Sequence, residues 1–238
     1  MPVVIDTAMR TPGYPDEAYF FKDTRYLRMW WKPGTPEERK VFGPATISQE
    51  WEVIGEAGFT RIDAMLPSTR DPQKYYAFSG SRYVRGSFVP GTATESKLFG
   101  PANIVDEWKT LRDAGFDCVD AVLPIRSTDP AAGFEEEAYF FCGTRYLRMR
   151  WTPQTPREEL VFGPAPIAAE WKTLRDAGFE TVDAFVPNLE AARPGEVDVY
   201  AFSGPRYVRF SFEPGTAKET KIYGVAEIDD EWKTLREL

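Results

Sequence analysis

The chain contains the same pattern four times, and this repetition limits its fold more than any other feature. A segment centred on tryptophan recurs at intervals of 57, 63 and 61 residues, at Trp51, Trp108, Trp171 and Trp232. In the last three copies it reads Glu-Trp-Lys-Thr-Leu-Arg, beginning at Glu107, Glu170 and Glu231. A unit of about 60 residues is marginal for an independent core. Four units in tandem are therefore expected to bury their apolar faces against one another.

Two further signatures occur once in each copy. One is Arg-Tyr-Leu/Val-Arg, beginning at Arg25, Arg82, Arg145 and Arg206; the other is an opening aspartate, at Asp6, Asp63, Asp120 and Asp183. The aromatic and β-branched residues around them favour strands. A turn at Pro33-Gly34-Thr35, a short strand ending at Gly43-Pro44 and a tryptophan helix capped at Gly58 complete the first unit. Each unit is predicted to form four strands and a short helix.

Four-stranded sheets repeated around an axis make a propeller. The predicted fold is mainly β: a single domain, 1–238, forming a four-bladed β-propeller of antiparallel blades. The predicted blades are 1–59, 60–116, 117–179 and 180–238. An open solenoid is the alternative, but it would need polar capping repeats, and both end copies resemble the others. Copies one and three share Glu-Ala-Tyr-Phe-Phe, and copies two and four share Ala-Phe-Ser-Gly. A duplicated two-blade unit with a pseudo-two-fold axis is therefore expected.

Composition excludes several functions. The chain has 238 residues, no His, two Cys and a net charge of −8. Without His there is no Ser-His-Asp triad, no imidazole zinc site and no His-ligated haem. Two Cys are too few for a disulfide framework or a Cys₄ site. The acidic balance argues against nucleic-acid binding.

Membrane and secretion signals are also missing from the sequence. No segment approaches the roughly 18 apolar residues of a membrane-spanning helix. The amino-terminal residues enter a strand-like pattern without the basic and apolar regions of a signal peptide. A cytoplasmic location is the default expectation.

The repeated pattern, Asp-Ala followed by Ala-Tyr-Phe-Phe and then a Tyr-x-Arg strand, resembles the hemopexin repeat. The resemblance covers the whole chain. It is nearest in appearance to plant seed albumins of hemopexin type, the albumin-2 group, which share Glu-Ala-Tyr-x-Phe and Pro-Gly-Thr; here these are Glu17 to Phe21 and Pro33 to Thr35. Four copies in register are specific for the fold and much less so for function, because function resides in sites placed on folds.

The resemblance implies a central channel in which backbone carbonyls bind Ca²⁺ or Na⁺, with chloride nearby. Carried over by position, the carbonyl donors would be those of Asp6, Asp63, Asp120 and Asp183, with a second layer from Ala8, Met65, Val122 and Phe185. Hard oxygen ligands suit these cations. The resemblance also implies binding of a polyamine, chiefly spermine, and a homodimer.

Two departures from the family pattern stand out. Secreted hemopexin domains commonly join the first and last blades by a disulfide. Here Cys118 and Cys142 both lie in the third repeat, so ring closure must be noncovalent. The interpretation is a buried thiol at Cys118 and a small residue near a strand end at Cys142, with a disulfide between them left open. Haem is disfavoured because the family's His ligands are missing.

Residues present in every copy are interpreted as structural. The aspartates are expected to hold turns, the tryptophans to pack, and the Tyr-x-Arg arginines to lie over aromatic rings and pair with carboxylates. Function is sought where the copies differ. One strand position carries Trp30, Ser87, Arg150 and Ser211; another carries Lys22, Ser79, Cys142 and Ser203.

Longer loops in the third and fourth repeats, around 124–137 and 187–198, are candidate binding elements. The third loop ends in Glu135-Glu136-Glu137. The alternative is a solvated acidic loop. The ligand candidates are therefore Trp30, Arg150, Glu135, Glu136 and Glu137.

Three functions compete. The first is a nonenzymatic cation- and polyamine-binding protein with a storage, stress or defence role. The second is a carbohydrate- or protein-recognition module using aromatic residues such as Trp30 and Tyr14. The third is an enzyme using carboxylates and Arg150 at the channel mouth. No nucleophile–base pair, phosphate-binding loop or metal-hydrolase motif supports the third.

Overall fold

A ring of four antiparallel sheets organises the computed structural model, which describes residues 2–14, 16–188 and 195–238. The strands of each sheet follow one another in chain order, as hairpin-connected neighbours. Their bounds are β1 Thr7–Arg10, β2 Glu17–Lys22, β3 Arg25–Trp31 and β4 Glu38–Thr46; β5 Ala64–Pro67, β6 Lys74–Ser79, β7 Arg82–Phe88 and β8 Glu95–Asn103; β9 Ala121–Ile125, β10 Glu136–Cys142, β11 Arg145–Trp151 and β12 Glu158–Pro166; β13 Ala184–Asn188, β14 Val197–Ser203, β15 Arg206–Phe212 and β16 Glu219–Glu227.

The first strand of each sheet is innermost. Strand β1 packs against β5 and β13, and β9 packs against the same two strands, so the four first strands surround one axis. The predicted four-bladed propeller is confirmed.

The tryptophan segments differ from the prediction of one helix per repeat. In the first three copies the helix is divided at the tryptophan, giving α1 Ile47–Glu50, α2 Glu52–Glu56, α3 Ile104–Glu107, α4 Lys109–Asp113, α5 Ile167–Glu170 and α6 Lys172–Asp176. The last copy has α7 Ile228–Glu231 and a 3₁₀ helix, Lys233–Glu237, and a second 3₁₀ helix spans Pro130–Ala132. Trp51 has φ −105° and ψ 86°, outside the helical region, and its side chain is buried. The break therefore accompanies insertion of the indole into the core.

The outermost strand is also longer than predicted. Strand β4 does not end at Gly43-Pro44 but continues to Thr46, with register irregularities opposite β3. Gly43 has φ +87°, and a Cβ at this position would lie 2.8 Å from the Tyr26 carbonyl oxygen. Glycine therefore allows the two strands to approach closely and the strand to continue.

The core consists of aromatic clusters between adjacent blades. Trp51 contacts Tyr19 and Tyr26 of its own blade and Tyr75 and Phe88 of the next. Equivalent clusters form around the other three tryptophans, all of which are buried. The predicted packing role of the tryptophans is confirmed.

The last blade meets the first without a covalent link. Val3 and Ile5 share a core cluster with Trp232 and Leu235. The Thr234 amide donates a hydrogen bond of 2.7 Å to Glu38 of β4. These contacts close the ring.

Candidate functional site

The opening aspartates fix the hairpins beside the innermost strands. The carboxylate of each aspartate accepts a backbone N–H from the turn between the second and third strands of its blade. The distances are 2.7 Å for Asp6 with Asp23, and 2.6 Å for Asp63 with Gly80, Asp120 with Gly143 and Asp183 with Gly204. The expectation that these side chains hold turns is confirmed.

Neighbouring aspartate charges also act on Asp6 and Asp183. Burial raises the pKa of Asp6, opposed by the hydrogen bond from Asp23 and the Arg61 charge, while the charge of Asp63 adds to the rise. Burial likewise raises the pKa of Asp183; the hydrogen bond from Gly204 opposes this, and the charges of Asp6 and Asp120 add to it. Arg61 lies 3.5 Å from Asp6. This end of the propeller therefore concentrates negative charge around the axis.

The strand register directs backbone groups toward the axis. The Thr11 amide donates a hydrogen bond to the Glu17 carbonyl oxygen, in line with the pairing of β1 and β2. In an antiparallel pair, only every second residue of a strand forms hydrogen bonds with the partner strand. Ala8 consequently turns its peptide groups away from β2. Met65 does the same in the second blade, and its amide donates a hydrogen bond of 3.3 Å to the Thr7 hydroxyl of β1.

The predicted carbonyl donors lie on or directly before these innermost strands. They are Asp6, Asp63, Asp120 and Asp183, each directly before its strand, and Ala8, Met65, Val122 and Phe185, each within it. Carbonyl and carboxylate oxygens are hard donors, and this donor set fits Ca²⁺ or Na⁺.

Trp30 and Arg150 do not converge. They occupy equivalent positions on the third strands of opposite blades, two strands away from the axis. Trp30 is half-buried, with the Arg39 guanidinium 5.4 Å from its ring centroid. Arg150 is paired with Glu159 at 2.6 Å and with Asp129 at 3.3 Å.

The three consecutive glutamates have different environments. Glu137 is 1% exposed; it accepts the Thr128 amide at 2.9 Å and lies 3.4 Å from Arg148. Glu136 is also buried; it accepts hydrogen bonds from the Ser68 hydroxyl and the Thr69 amide of the second blade. Glu135 alone of the three is exposed. The carboxylates of Glu136 and Glu137 therefore hold the long loop in place. The alternative prediction of a solvated acidic loop does not apply to these two residues. In the fourth-blade loop, 189–194 lie outside the described residues.

The two cysteines are close together. The Sγ atoms of Cys118 and Cys142 are 2.9 Å apart, both residues are half-buried, and both are free thiols. Burial raises the pKa of the Cys118 thiol, and the Cys142 thiol beside it raises it further. A high thiol pKa lowers the thiolate fraction and the reactivity of Cys118.

Four glutamates that were not among the predicted site residues link the blades. Glu38, Glu95, Glu158 and Glu219 each begin an outermost strand and accept an amide hydrogen bond from the helical segment of the preceding blade. The distances are 2.7 to 2.9 Å. Their signal was present in the sequence, because one glutamate recurs after the turn of every copy.

Within 2–14, 16–188 and 195–238, no helix has both the length and the apolar character needed to cross a bilayer.

Comparison with known proteins identifies relatives of the same length. The chain is 23% identical over 239 residues to Albumin-2 of Lathyrus sativus, covering 100% of this chain and 98% of that protein. It is 23% identical over 234 residues to Albumin-2 of Pisum sativum, covering 98% and 94%. No family model matches the chain.

Solved structures agree with these relatives. A 2S albumin seed protein from Dolichos superposes with a TM-score of 0.83 at 27% identity, covering 99% of both chains. A plant lectin with two metal-binding sites from Cicer arietinum gives 0.81 at 25% identity, covering 98% and 97%. A hemopexin-fold protein from cow pea gives 0.81 at 25% identity, covering 100% and 99%. In sequence and in fold, the chain is therefore similar along its whole length to Albumin-2 and to hemopexin-fold seed proteins, the group that its four repeats resemble.

Proposed function

We propose that this protein is a nonenzymatic binding protein whose axial channel holds a hard cation and whose acidic mouth takes a polyamine such as spermine. One observation carries the proposal: each blade contributes one aspartate beside the axis, and burial raises the pKa of Asp6 and Asp183, with the charges of neighbouring aspartates adding to the rise. A group of half-buried like charges favours a bound cation, because the cation removes their mutual repulsion.

The donor set selects the class of metal. Backbone carbonyls of the innermost strands and the aspartate oxygens are hard ligands, suited to Ca²⁺ or Na⁺ rather than to a thiophilic metal. The metal would supply charge neutralisation at the axis. The structural neighbour from Cicer arietinum is a lectin with two metal-binding sites, which supports metal binding in this fold.

A polyamine suits the outer part of this mouth. Spermine carries several ammonium groups along a flexible chain, and four carboxylates offer it several partners. The net charge of −8 adds long-range attraction for a polycation.

Removal of the metal tests the channel. If Ca²⁺ occupies the axis, elemental analysis finds it in the purified protein, and EDTA lowers the melting temperature by several degrees, because a ligand of the native state stabilises that state. An unchanged melting curve together with no Ca²⁺ in the elemental analysis would exclude Ca²⁺ and leave Na⁺, to be sought by replacing Na⁺ with a large organic cation.

Calorimetry with spermine tests the mouth. Asp63→Asn keeps an oxygen that can accept the Gly80 amide but removes one charge of the ring. We expect it to weaken spermine binding about tenfold at low salt. Asp230→Asn, an exposed change on α7, is the matched control and should bind as the wild type does. Equal affinities for the two variants would contradict the proposed mouth.

A lectin function is the second candidate. Two neighbours from Cicer arietinum are a plant lectin and an albumin showing haemagglutination. Tyr14 is 46% exposed and stacks on Arg28, which makes it a candidate platform for a sugar ring. A glycan array with the wild type and Tyr14→Ala distinguishes this function from the first, because spermine binding should not depend on Tyr14.

A further inference from the structure

The arginine of the Tyr-x-Arg motif has a carboxylate partner in three blades. Arg28 donates to Glu17 at 2.7 Å, and Arg209 donates to Asp198 at 3.0 and 2.5 Å. Arg148 lies 3.4 Å from Glu137. Each of these carboxylates occupies the same position of the second strand of its blade, opposite Trp30, Ser211 and Arg150.

The second blade breaks this rule. The equivalent position, opposite Ser87, is Lys74, whose ammonium pairs with Asp71 at 2.9 Å. Arg85 is only 7% exposed, and within the described part of the chain its Nε and Nη1 atoms have no hydrogen-bond partner. Its guanidinium lies 5.3 Å from the ring centroid of Tyr76. A buried cation without a counter-ion is costly, so this arrangement points to an anion supplied from outside.

Arg85 lines a cavity between the second and third blades. The cavity has a volume of about 280 Å³, and its walls include Tyr76, Trp108 and Trp151. This size is near the lower end of small-molecule sites, which combine apolar walls with a few polar groups. The rim carries Glu107 and Glu158, and the Glu158 carboxylate accepts the Thr110 amide. Rim carboxylates disfavour a ligand with more than one negative charge.

The turn residue at this cavity also differs from its equivalents. Gln154 has φ +63°, where the other three copies have Gly34, Gly91 and Gly215. A non-glycine residue in the left-handed region is uncommon and costs free energy. In the other copies, this turn glycine lies next to Nη1 of the preceding blade's arginine. The third blade therefore places an amide side chain at a cavity that contains the unpaired guanidinium of the second blade.

The equivalent cavity two blades away provides an internal comparison. The cavity between the fourth and first blades has matching walls in Tyr200, Trp232 and Trp31, and its arginine is Arg209. There the guanidinium is neutralised by Asp198, and Gly34 replaces Gln154. The two cavities share their aromatic walls but differ in charge.

We propose that the Arg85 cavity binds a small organic monocarboxylate. Its carboxylate accepts hydrogen bonds from the guanidinium, as Glu17 and Asp198 do in the first and fourth blades. Its apolar body lies among Tyr76, Trp108 and Trp151. This site is separate from the channel and does not depend on the function proposed for it.

The test uses the full chain and three probes: benzoate, indole-3-acetate and hexanoate, each compared with its uncharged amide. Calorimetry and quenching of tryptophan fluorescence report binding, since two tryptophans line the cavity. We expect saturable binding of at least one acid, with its amide about tenfold weaker or more. The proposal would be overturned if none of the acids bound at concentrations up to about 10 mM. A Kd above this concentration corresponds to a binding free energy weaker than about 3 kcal/mol. Chloride or sulfate binding as tightly as the best acid would also overturn it, by making the site one for inorganic anions.

Two variants and one control connect the binding to Arg85. Lys74→Glu gives Arg85 the carboxylate that the first and third blades have, and it should reduce affinity for the acid about tenfold or more while keeping the melting temperature. Lys221→Glu makes the same charge change on β16 and should leave binding unchanged. Asp198→Asn frees Arg209 and should create a second acid site, a gain that misfolding cannot produce. Full affinity in Lys74→Glu, or a stoichiometry of one in a folded Asp198→Asn, would contradict the assignment.

Discussion

Several glutamate side chains form hydrogen bonds between blades, at positions where the sequence suggests surface charge. Glu95 is an example: its Oε2 atom accepts the Val53 amide of the preceding blade at 2.9 Å. Burial raises the pKa of Glu95 to about 7 from an ordinary value of 4.5, opposed by the hydrogen bond from Val53. The folded state therefore holds a proton on Glu95 more tightly than the unfolded chain does.

This shift predicts a pH-dependent loss of stability. Because the folded pKa of Glu95 is raised, its contribution is fully present below about pH 4.5 and is lost as pH rises through about 7. Glu95→Gln keeps an acceptor without the charge. We expect it to be about 1–2 kcal/mol more stable than the wild type at pH 8, a figure reduced for solvent screening, and to lose this advantage at pH 4.5. Urea unfolding at several pH values measures the difference.

Glu56→Gln is the control for removing one negative charge, since Glu56 forms an exposed pair with Lys97. Parallel stability profiles for Glu95→Gln and the wild type between pH 4.5 and 8 would show that Glu95 is not responsible.

At the scale of the element, glycine has two separate roles. Gly58 ends the helical segment of the first blade with φ +73°, and nothing lies within 4 Å of a Cβ built there. Gly163 has φ +90°, and its Cβ would lie 2.8 Å from the Tyr146 carbonyl oxygen. The first position requires only a backbone conformation, whereas the second also requires space between two strands.

These roles predict different costs for the same substitution. Gly58→Ala is expected to lower the free energy of unfolding by about 1 kcal/mol, the cost of placing alanine in the left-handed region. Gly163→Ala should cost about 3 kcal/mol or more, because the backbone of β11 or β12 must also move. Urea denaturation measures both variants, and equal losses would argue against close approach of these strands.

At the scale of the whole molecule, the ring is closed by packing. Cys118 and Cys142 lie within the third blade and cannot join the first blade to the last. Closure instead depends on Trp232, which packs against Phe20 and Trp31 of the first blade. In a closed ring this interface is equivalent to the interior ones, whereas in an open array it would be a terminus.

Closure predicts equal costs at two matched tryptophans. Trp232 and Trp108 are each 4% exposed and occupy equivalent positions in the fourth and second repeats. Substitution of either by alanine should cost about 3–5 kcal/mol, the usual range for a large buried aromatic residue. Equilibrium unfolding of Trp108→Ala and Trp232→Ala tests this. A loss at Trp232 smaller by about 2 kcal/mol or more would indicate an open end.

The sequence by itself determined the number of blades, the order of strands and the tryptophan cores. These features follow from local patterns repeated four times, and repetition makes weak signals reliable. It also determined that the opening aspartates are structural, because a short polar side chain beside a hairpin finds its partner nearby. Prediction failed where the backbone leaves a regular element: the helix break at Trp51 and the continuation of β4 past Gly43-Pro44 depend on packing against neighbouring strands.

Only the tertiary structure decided which charges meet. In the sequence, Glu136 and Glu137 belong to an acidic run that could form a binding loop or a solvated loop. Both are buried, because Glu136 is bonded by the neighbouring blade and Glu137 by Thr128 and Arg148 of its own. The isolation of Arg85 likewise depends on strand register, which places Lys74 where the other blades have a carboxylate. The physical reason is that local preference sets which face a residue takes, whereas the partner of a buried charge comes from pairing between strands and between blades.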